Sequence, residues 1–167
     1  KELGAAFNNV PGGSDAEVKV YRMHRLTNRV IGDDANLLRR MPPMKGRVFG
    51  VAVSRDGKRI AASSSLDGIG EVHVYSYEFD PGLPDNIKKI NEKVVTTRSA
   101  EENAELDKYH HTDVKLIAQT SVPQSSLYAV AFHPDGQVVA AAGTDGTVRL
   151  IDAATGSIVK EFAPAPL

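Results

Sequence analysis

The chain has 167 residues, with 20 Lys and Arg against 21 Asp and Glu, a formal net charge of -1. So even a balance gives no long-range pull toward nucleic acid or an anionic membrane surface. The absence of cysteine excludes disulfides, thiolate metal sites, a cysteine nucleophile and covalent haem attachment within these residues. No apolar run approaches the roughly 18 residues needed to cross a bilayer.

Residues 2–9 (ELGAAFNN) read as a strand of small side chains, 17–23 (EVKVYRM) as an alternating strand, and 29–38 as the source of a third strand. Between them Gly12-Gly13 is a turn. It does not precede a helix and lacks the Lys-Ser or Lys-Thr of a phosphate loop. The paired carboxylates Asp33 and Asp34 could hold a hard cation, but such pairs in loops are ordinarily solvated, and solvation is the expectation here. Arg39-Arg40 is too small a basic patch to track a nucleic acid, and so is Lys88-Lys89 further on.

Residues 47–77 (RVFGVAVSRDGKRIAASSSLDGIGEVHVYSY) and 126–153 (SLYAVAFHPDGQVVAAAGTDGTVRLIDA) follow one plan, and recurrence of this kind marks a repeat protein. In each, an apolar strand (48–53, 127–132) meets a tight turn carrying Asp56-Gly57 or Asp135-Gly136. Glycine supplies positive φ there while the aspartate caps nearby amides. A small-residue strand follows (60–65, 138–143), then a second Gly-rich turn, then an alternating strand (71–77, 147–152) with Val72, Val74, Val148 and Leu150 on one face. The first two strands of each copy are expected to be mostly buried. By the same alternation His73 has outward parity. The turn 66–70 (LDGIG) is about three residues longer than its counterpart Thr144-Asp145-Gly146, which makes it a candidate binding loop or a tolerated insertion. Outer strands are expected at 113–122 and 157–162, and the opening residues then supply an incomplete copy lacking its first strand.

One stretch departs from the repeat. Residues 79–112 occupy a position where a few turn residues would do. Asp85 can cap a helix bearing Ile87, Ile90 and Val94, and Ser99 with Glu102 forms a capping box ahead of a helix carrying Ala104, Leu106 and Tyr109. This insertion is expected on the outside of its blade, as surface decoration or as a partner contact. His110 and His111, near Asp107 and Asp113, invite a metal reading; at a helix end they equally complement the C-terminal dipole, which is the reading adopted. His24 and His133 are scattered, and Ser63-Ser64-Ser65 lacks the Gly-x-Ser-x-Gly elbow. No catalytic, cofactor-binding or metal residue is assigned, and no cofactor is expected.

Residues 126–162, with HPDGQVVAAAGTDGTVRLIDAATGSIV, resemble the WD-repeat family of β-propellers. The resemblance implies four-stranded antiparallel blades around a central channel, used as a rigid platform for other molecules. Two departures stand out: the terminal Trp-Asp pair is Ile151-Asp152 in the last copy and Tyr75-Ser76 in the middle one, and no Gly-His pair precedes the first strands. The family's buried Trp, His, Ser and Asp network therefore does not carry over, although Asp145 holds the matching turn position. More narrowly, RVIGDDANLLRRMPPMKGRVFGVAVSRDGKRIAASSS, VVTTRSAEE and IVKEFAPAPL resemble the propeller part of large exported bacterial proteins that combine WD repeats with c-type cytochrome-like modules. That resemblance implies an extracytoplasmic address, periplasmic or secreted, and a longer parent; a first residue Lys1 rather than Met separately suggests processing, proteolysis or excision from something longer.

The expected fold is therefore all-β: a propeller segment of two full blades plus about three strands of another, with a short helical insertion. The blades are expected at 1–45 (incomplete), 46–122 (with the insertion at 79–112) and 123–167. Closed rings take about four to eight blades. The segment is accordingly expected to pack with other blades of the same propeller or with copies of itself; three copies would supply about eight blades' worth of strands. The expected function is a non-catalytic scaffold for protein-protein or interdomain contacts. The alternatives are an enzyme or small-ligand propeller, lactonase-like or quinone-cofactor-like, and a self-assembling repeat fragment. An enzymatic ring would gather inward Glu, His or Asn at equivalent places, where the inner strands here offer mainly Ala, Val and Ser.

Overall fold

A computed structural model describes residues 3–9, 15–28, 34–77 and 82–164. Three antiparallel sheets follow one another along the chain. The first contains β1 (Leu3–Asn9), β2 (Asp15–Arg22), β3 (Leu37–Arg40) and β4 (Met44–Lys45), with β2 in the middle. The second runs β5 (Arg47–Val53), β6 (Arg59–Leu66), β7 (Ile69–Ser76) and β8 (Lys115–Val122). The third runs β9 (Leu127–Phe132), β10 (Val138–Gly143), β11 (Val148–Asp152) and β12 (Ile158–Phe162). This is the all-β propeller segment expected from the repeat, with a short helical insertion.

The sheets stack face to face, so the core is two seams. In the first seam Val18, Val20, Leu38, Met41 and Met44 of the first sheet meet Val48, Ile60, Ala62, Tyr75 and Tyr77 of the second. In the second, Ala61, Val72, Val74, Ala118 and Val122 meet Leu127, Val139, Ala141, Ile151 and Ala153. Period-2 alternation sends odd and even residues of β6 and β7 to different neighbours, and both faces of the middle sheet are dry. That explains the main correction to the sequence reading. His73 has the parity of an outward residue yet is 4% exposed, because the face it points from is covered by the first sheet.

Other boundaries shift for identifiable reasons. The outer strand of the first sheet, expected within 29–38, lies at Leu37–Arg40; residues 29–33, with Asp33, are outside the described residues, as are Gly12-Gly13 and 78–81. Pro42-Pro43 then removes two ladder donors, and the chain resumes pairing with β2 only at β4, where Ala16 faces Met44. The first strands β5 and β9 were expected to be mostly buried. They are sheet edges flanked on one side only, and Phe49, Val53 and Tyr128 are exposed. Phe49 and Tyr128 meet edge to face, with ring centroids 4.8 Å apart, where the two edges approach.

The Asp-Gly turns behave as expected. Asp56 Oδ1 accepts the Lys58 amide at 3.0 Å and the Ser54 hydroxyl at 2.6 Å, and Gly57 has φ +70°. In the sister turn Asp135 Oδ1 accepts the Gln137 amide at 2.8 Å, and His133 takes the place of Ser54, with its Nδ1 2.9 Å from Asp135 Oδ1.

Candidate interaction site

The turn expected to be long is in fact short. Leu66 pairs with Ile69, leaving a two-residue loop, Asp67-Gly68, with φ of +51° and +79°. Positive φ at both central residues fits the primed hairpin turn that Asp-Gly favours. The extra residues lengthen the strands instead: β6 and β7 have eight residues each, against six and five in β10 and β11. The hairpin therefore projects, and Leu66 and Ile69 at its tip stay exposed.

Beside this tip is a recess of about 250 Å³ lined by Lys45, Leu66, Asp67, Ile69, Glu71 and Ser121. It draws on β4, β6, β7 and β8, and so sits where the first and second sheets meet. Glu71 leads inward along one face of β7. Its Oε2 is 3.1 Å from His73 Nε2, His73 Nδ1 is 3.0 Å from the Tyr75 hydroxyl, and that hydroxyl donates to the Pro42 carbonyl at 3.0 Å. Burial pushes the His73 ring below its ordinary value, against the opposing pull of the Glu71 carboxylate, and pushes the Tyr75 phenol well up. Sequence reading missed this chain of contacts. The Glu-x-His-x-Tyr spacing was visible, but which face would be covered was not.

The corresponding place in the third sheet carries an arginine between two carboxylates. Arg149 bonds Asp145 Oδ2 at 2.5 Å and Glu161 Oε1 at 2.8 Å, and the Arg149 guanidinium holds the Asp145 carboxyl down at about 2. Asp145, singled out as the residue at the matching turn position, thus lies in the turn before β11 and is a salt-bridge partner of Arg149, which faces the second seam from β11.

The insertion folds as two helices, α1 (Asp85–Asn91) and α2 (Ala100–His110), packed through Ile87, Ile90 and Leu106. Ser99 and Glu102 close the capping box in both directions, at 3.2 and 2.9 Å. Asp85 does not cap α1: it lies inside the first turn, behind Pro84, and contributes charge rather than a capping bond. Val94 falls beyond α1 and is exposed. The insertion does not merely decorate the second blade. Arg39 of β3, nearly buried, donates from Nε to the Thr112 carbonyl at 2.8 Å and lies 4.5 Å from the Tyr109 ring centre, tying the end of α2 to the first sheet.

The remaining candidates are placed as follows. His110 ends α2 and His111 follows it, with His111 Nδ1 3.5 Å from Asp107 Oδ1. Burial, then the nearby Arg40 and Arg39, bring His110 down to about 4, so it is neutral at pH 7. Among the described residues no group of three His, Asp or Glu is placed to hold a metal ion. Ser63 and Ser64 are buried in β6, while Ser65 donates to Ser126 at 2.8 Å across the second seam. None of the three is beside a histidine base that an observed bond would identify. Lys88 and Lys89 are in the last turn of α1 and exposed.

Among known families, that described as "WD domain, G-beta repeat" matches residues 115–152. The match runs from β8 through β11, joining the outer strand of the second sheet to the first three strands of the third. It supports a place among WD-repeat propellers, whose repeat domains are typically non-catalytic scaffolds. No curated protein matches the chain.

Proposed function

We propose that this chain is a segment of a larger WD-repeat-like propeller acting as a non-catalytic scaffold for protein-protein or interdomain contacts. We place its blades at 1–45, 46–122 and 123–167. The observation that carries the reading is the outer face of the third sheet. By alternation from the buried Val139, Ala141 and Ile151, that face presents Ala140, Ala142, Val148 and Leu150, all only half-buried. Alignment of the copies makes these four the equivalents of Ala61, Ser63, Val72 and Val74, all buried in the second sheet, with Ala61, Val72 and Val74 packed against the third. A face built like a seam and left open calls for another sheet.

The projecting hairpin with its recess, and the insertion, supply the rigidly held loops through which a scaffold meets a partner. Among the described residues no helix is long and apolar enough to cross a membrane. The extracytoplasmic bacterial address is part of this proposal and is supported by the sequence resemblance alone.

Light scattering on the full chain tests the ring-segment reading. The expected result is no discrete closed oligomer: a monomer, or open-ended association that weakens in the Leu150→Glu variant. A stable trimer or other closed ring of this chain alone would overturn it in favour of self-assembly.

A further inference from the structure

Register places one side chain of each third strand in equivalent positions. His73 lies opposite Ala62, Arg149 opposite Ala141, and Lys19 opposite Ala6. In the second seam the residue is an arginine, charged at every accessible pH and held by two carboxylates. In the first seam it is a histidine, the one side chain of this type whose charge changes near neutrality.

The bonds around His73 do not balance when the ring is neutral. Three contacts must be made: Nε2 to Glu71, Nδ1 to the Tyr75 oxygen, and the Tyr75 oxygen to the Pro42 carbonyl. A neutral imidazole has one N–H. Spent on the Glu71 carboxylate, it leaves Nδ1 as an acceptor, and the single Tyr75 hydroxyl proton faces two acceptors, Nδ1 and Pro42 O, each at 3.0 Å. Spent on Tyr75, it turns the Nε2 lone pair toward a carboxylate at 3.1 Å. One added proton resolves both conflicts: Nε2–H donates to Glu71, Nδ1–H donates to the Tyr75 oxygen, and the hydroxyl proton goes to Pro42 alone.

We propose that the first seam is a proton-operated latch, in which protonation of the Glu71–His73 pair commits the Tyr75 hydroxyl to Pro42 and fixes the connector between β3 and β4 onto β7. The other groups around the ring leave this role to His73. Ala62 of β6 and Gln119 of β8 lie opposite it in the ladder and carry no charge. Across the seam, Arg22 shares the seam-facing side of β2, Lys45 of β4 and Asp67 of the hairpin line the recess at Glu71, and Arg39 of β3 is engaged with Leu38, Thr112 and Tyr109. The charge acting on the ring is that of Glu71. Burial keeps the ring's midpoint below the ordinary histidine value of about 6.5, so acidification weakens the fold against global unfolding; the three bonds favour the proton only relative to a folded seam with the connector released and the ring still covered, and it is that local release which the latch opposes.

Two measurements on the full chain test this. In ring-nitrogen NMR, His73 is expected as the Nε2–H tautomer at neutral pH, with both nitrogens protonated only below about pH 6.5. In hydrogen exchange, the Met41 amide, which bonds the Val18 carbonyl at 2.9 Å beside the connector, is expected to gain protection on acidification, by roughly two- to tenfold after correction for the intrinsic rate. Tyr75→Phe should abolish that gain while leaving the Val139 amide, next to the Arg149 seam, unchanged. An Nδ1–H tautomer at neutral pH, Met41 protection that does not respond to pH, or a gain that persists in Tyr75→Phe would each overturn the latch. The ring and Met41 readouts on the unaltered chain decide the matter even where the variant does not fold.

Discussion

At the scale of single residues, the two glycines Gly57 and Gly143 separate backbone strain from steric conflict. Gly57 has φ +70° with open space around it, so Gly57→Ala pays only for left-handed backbone and should cost about 1 kcal/mol. A Cβ on Gly143 would lie 1.9 Å from the Ser126 carbonyl oxygen, which already accepts the Thr144 amide at 3.0 Å. Gly143→Ala must displace that backbone and should cost about 3 kcal/mol or more, which paired denaturant titrations would show. Asp145 gives a residue-scale test in pH. Its folded value, about 2, is below the usual carboxylate, so its stabilising contribution is present above about pH 4 and lost as pH falls toward 2. Asp145→Asn should therefore flatten the acid limb of the stability profile between about pH 4 and 2, and an unchanged limb would show that the Arg149 bridge is not formed in solution. His110 acts over a higher window. With its folded value near 4 and an unfolded value of about 6.5, it contributes stability that is lost as pH falls between them.

At the scale of elements, most strands were legible in the sequence and their surroundings were not. The runs 127–132 and 138–143 coincide with β9 and β10, because an apolar run, an Asp-Gly turn and a small-residue run are local signals. The capping box at Ser99 was equally local and is present. What failed depended on neighbours far away in the chain. His73 looked exposed because alternation reports two faces but not whether each is covered. The turn 66–70 looked like a longer loop because a two-residue turn on longer strands has the same residue count. The insertion looked peripheral because nothing in the sequence links Arg39 to Thr112, 73 positions apart. That link is testable. Arg39→Ala removes the bond to Thr112 O and the contact with Tyr109, and should cost about 1–3 kcal/mol. Its sharper signature is local: limited proteolysis within 82–112 should accelerate well before the sheets themselves open. Equal protection in the variant and the parent would mean that the helices hold to the second sheet by themselves.

At the scale of the whole molecule, the order of the sheets gives each one a face toward its predecessor and a face toward its successor. Val74 and Leu150 occupy the same successor-facing position in the second and third sheets, yet Val74 is buried in the second seam and Leu150 is half-exposed. In an ordinary core the larger side chain is the costlier to remove: Leu→Ala runs to about 2–5 kcal/mol. Here the order should reverse in the isolated chain. Val74→Ala empties a packed position, while Leu150→Ala trims a side chain that water already reaches and should cost less than about 1 kcal/mol. Once another sheet covers that face, Leu150 joins a seam of its own and its truncation should become the more damaging of the two. The comparison therefore reads the state of the open face directly from stability. If Leu150→Ala costs as much as Val74→Ala in dilute solution, the face is already covered there, and the covering surface must come from a second copy of the chain.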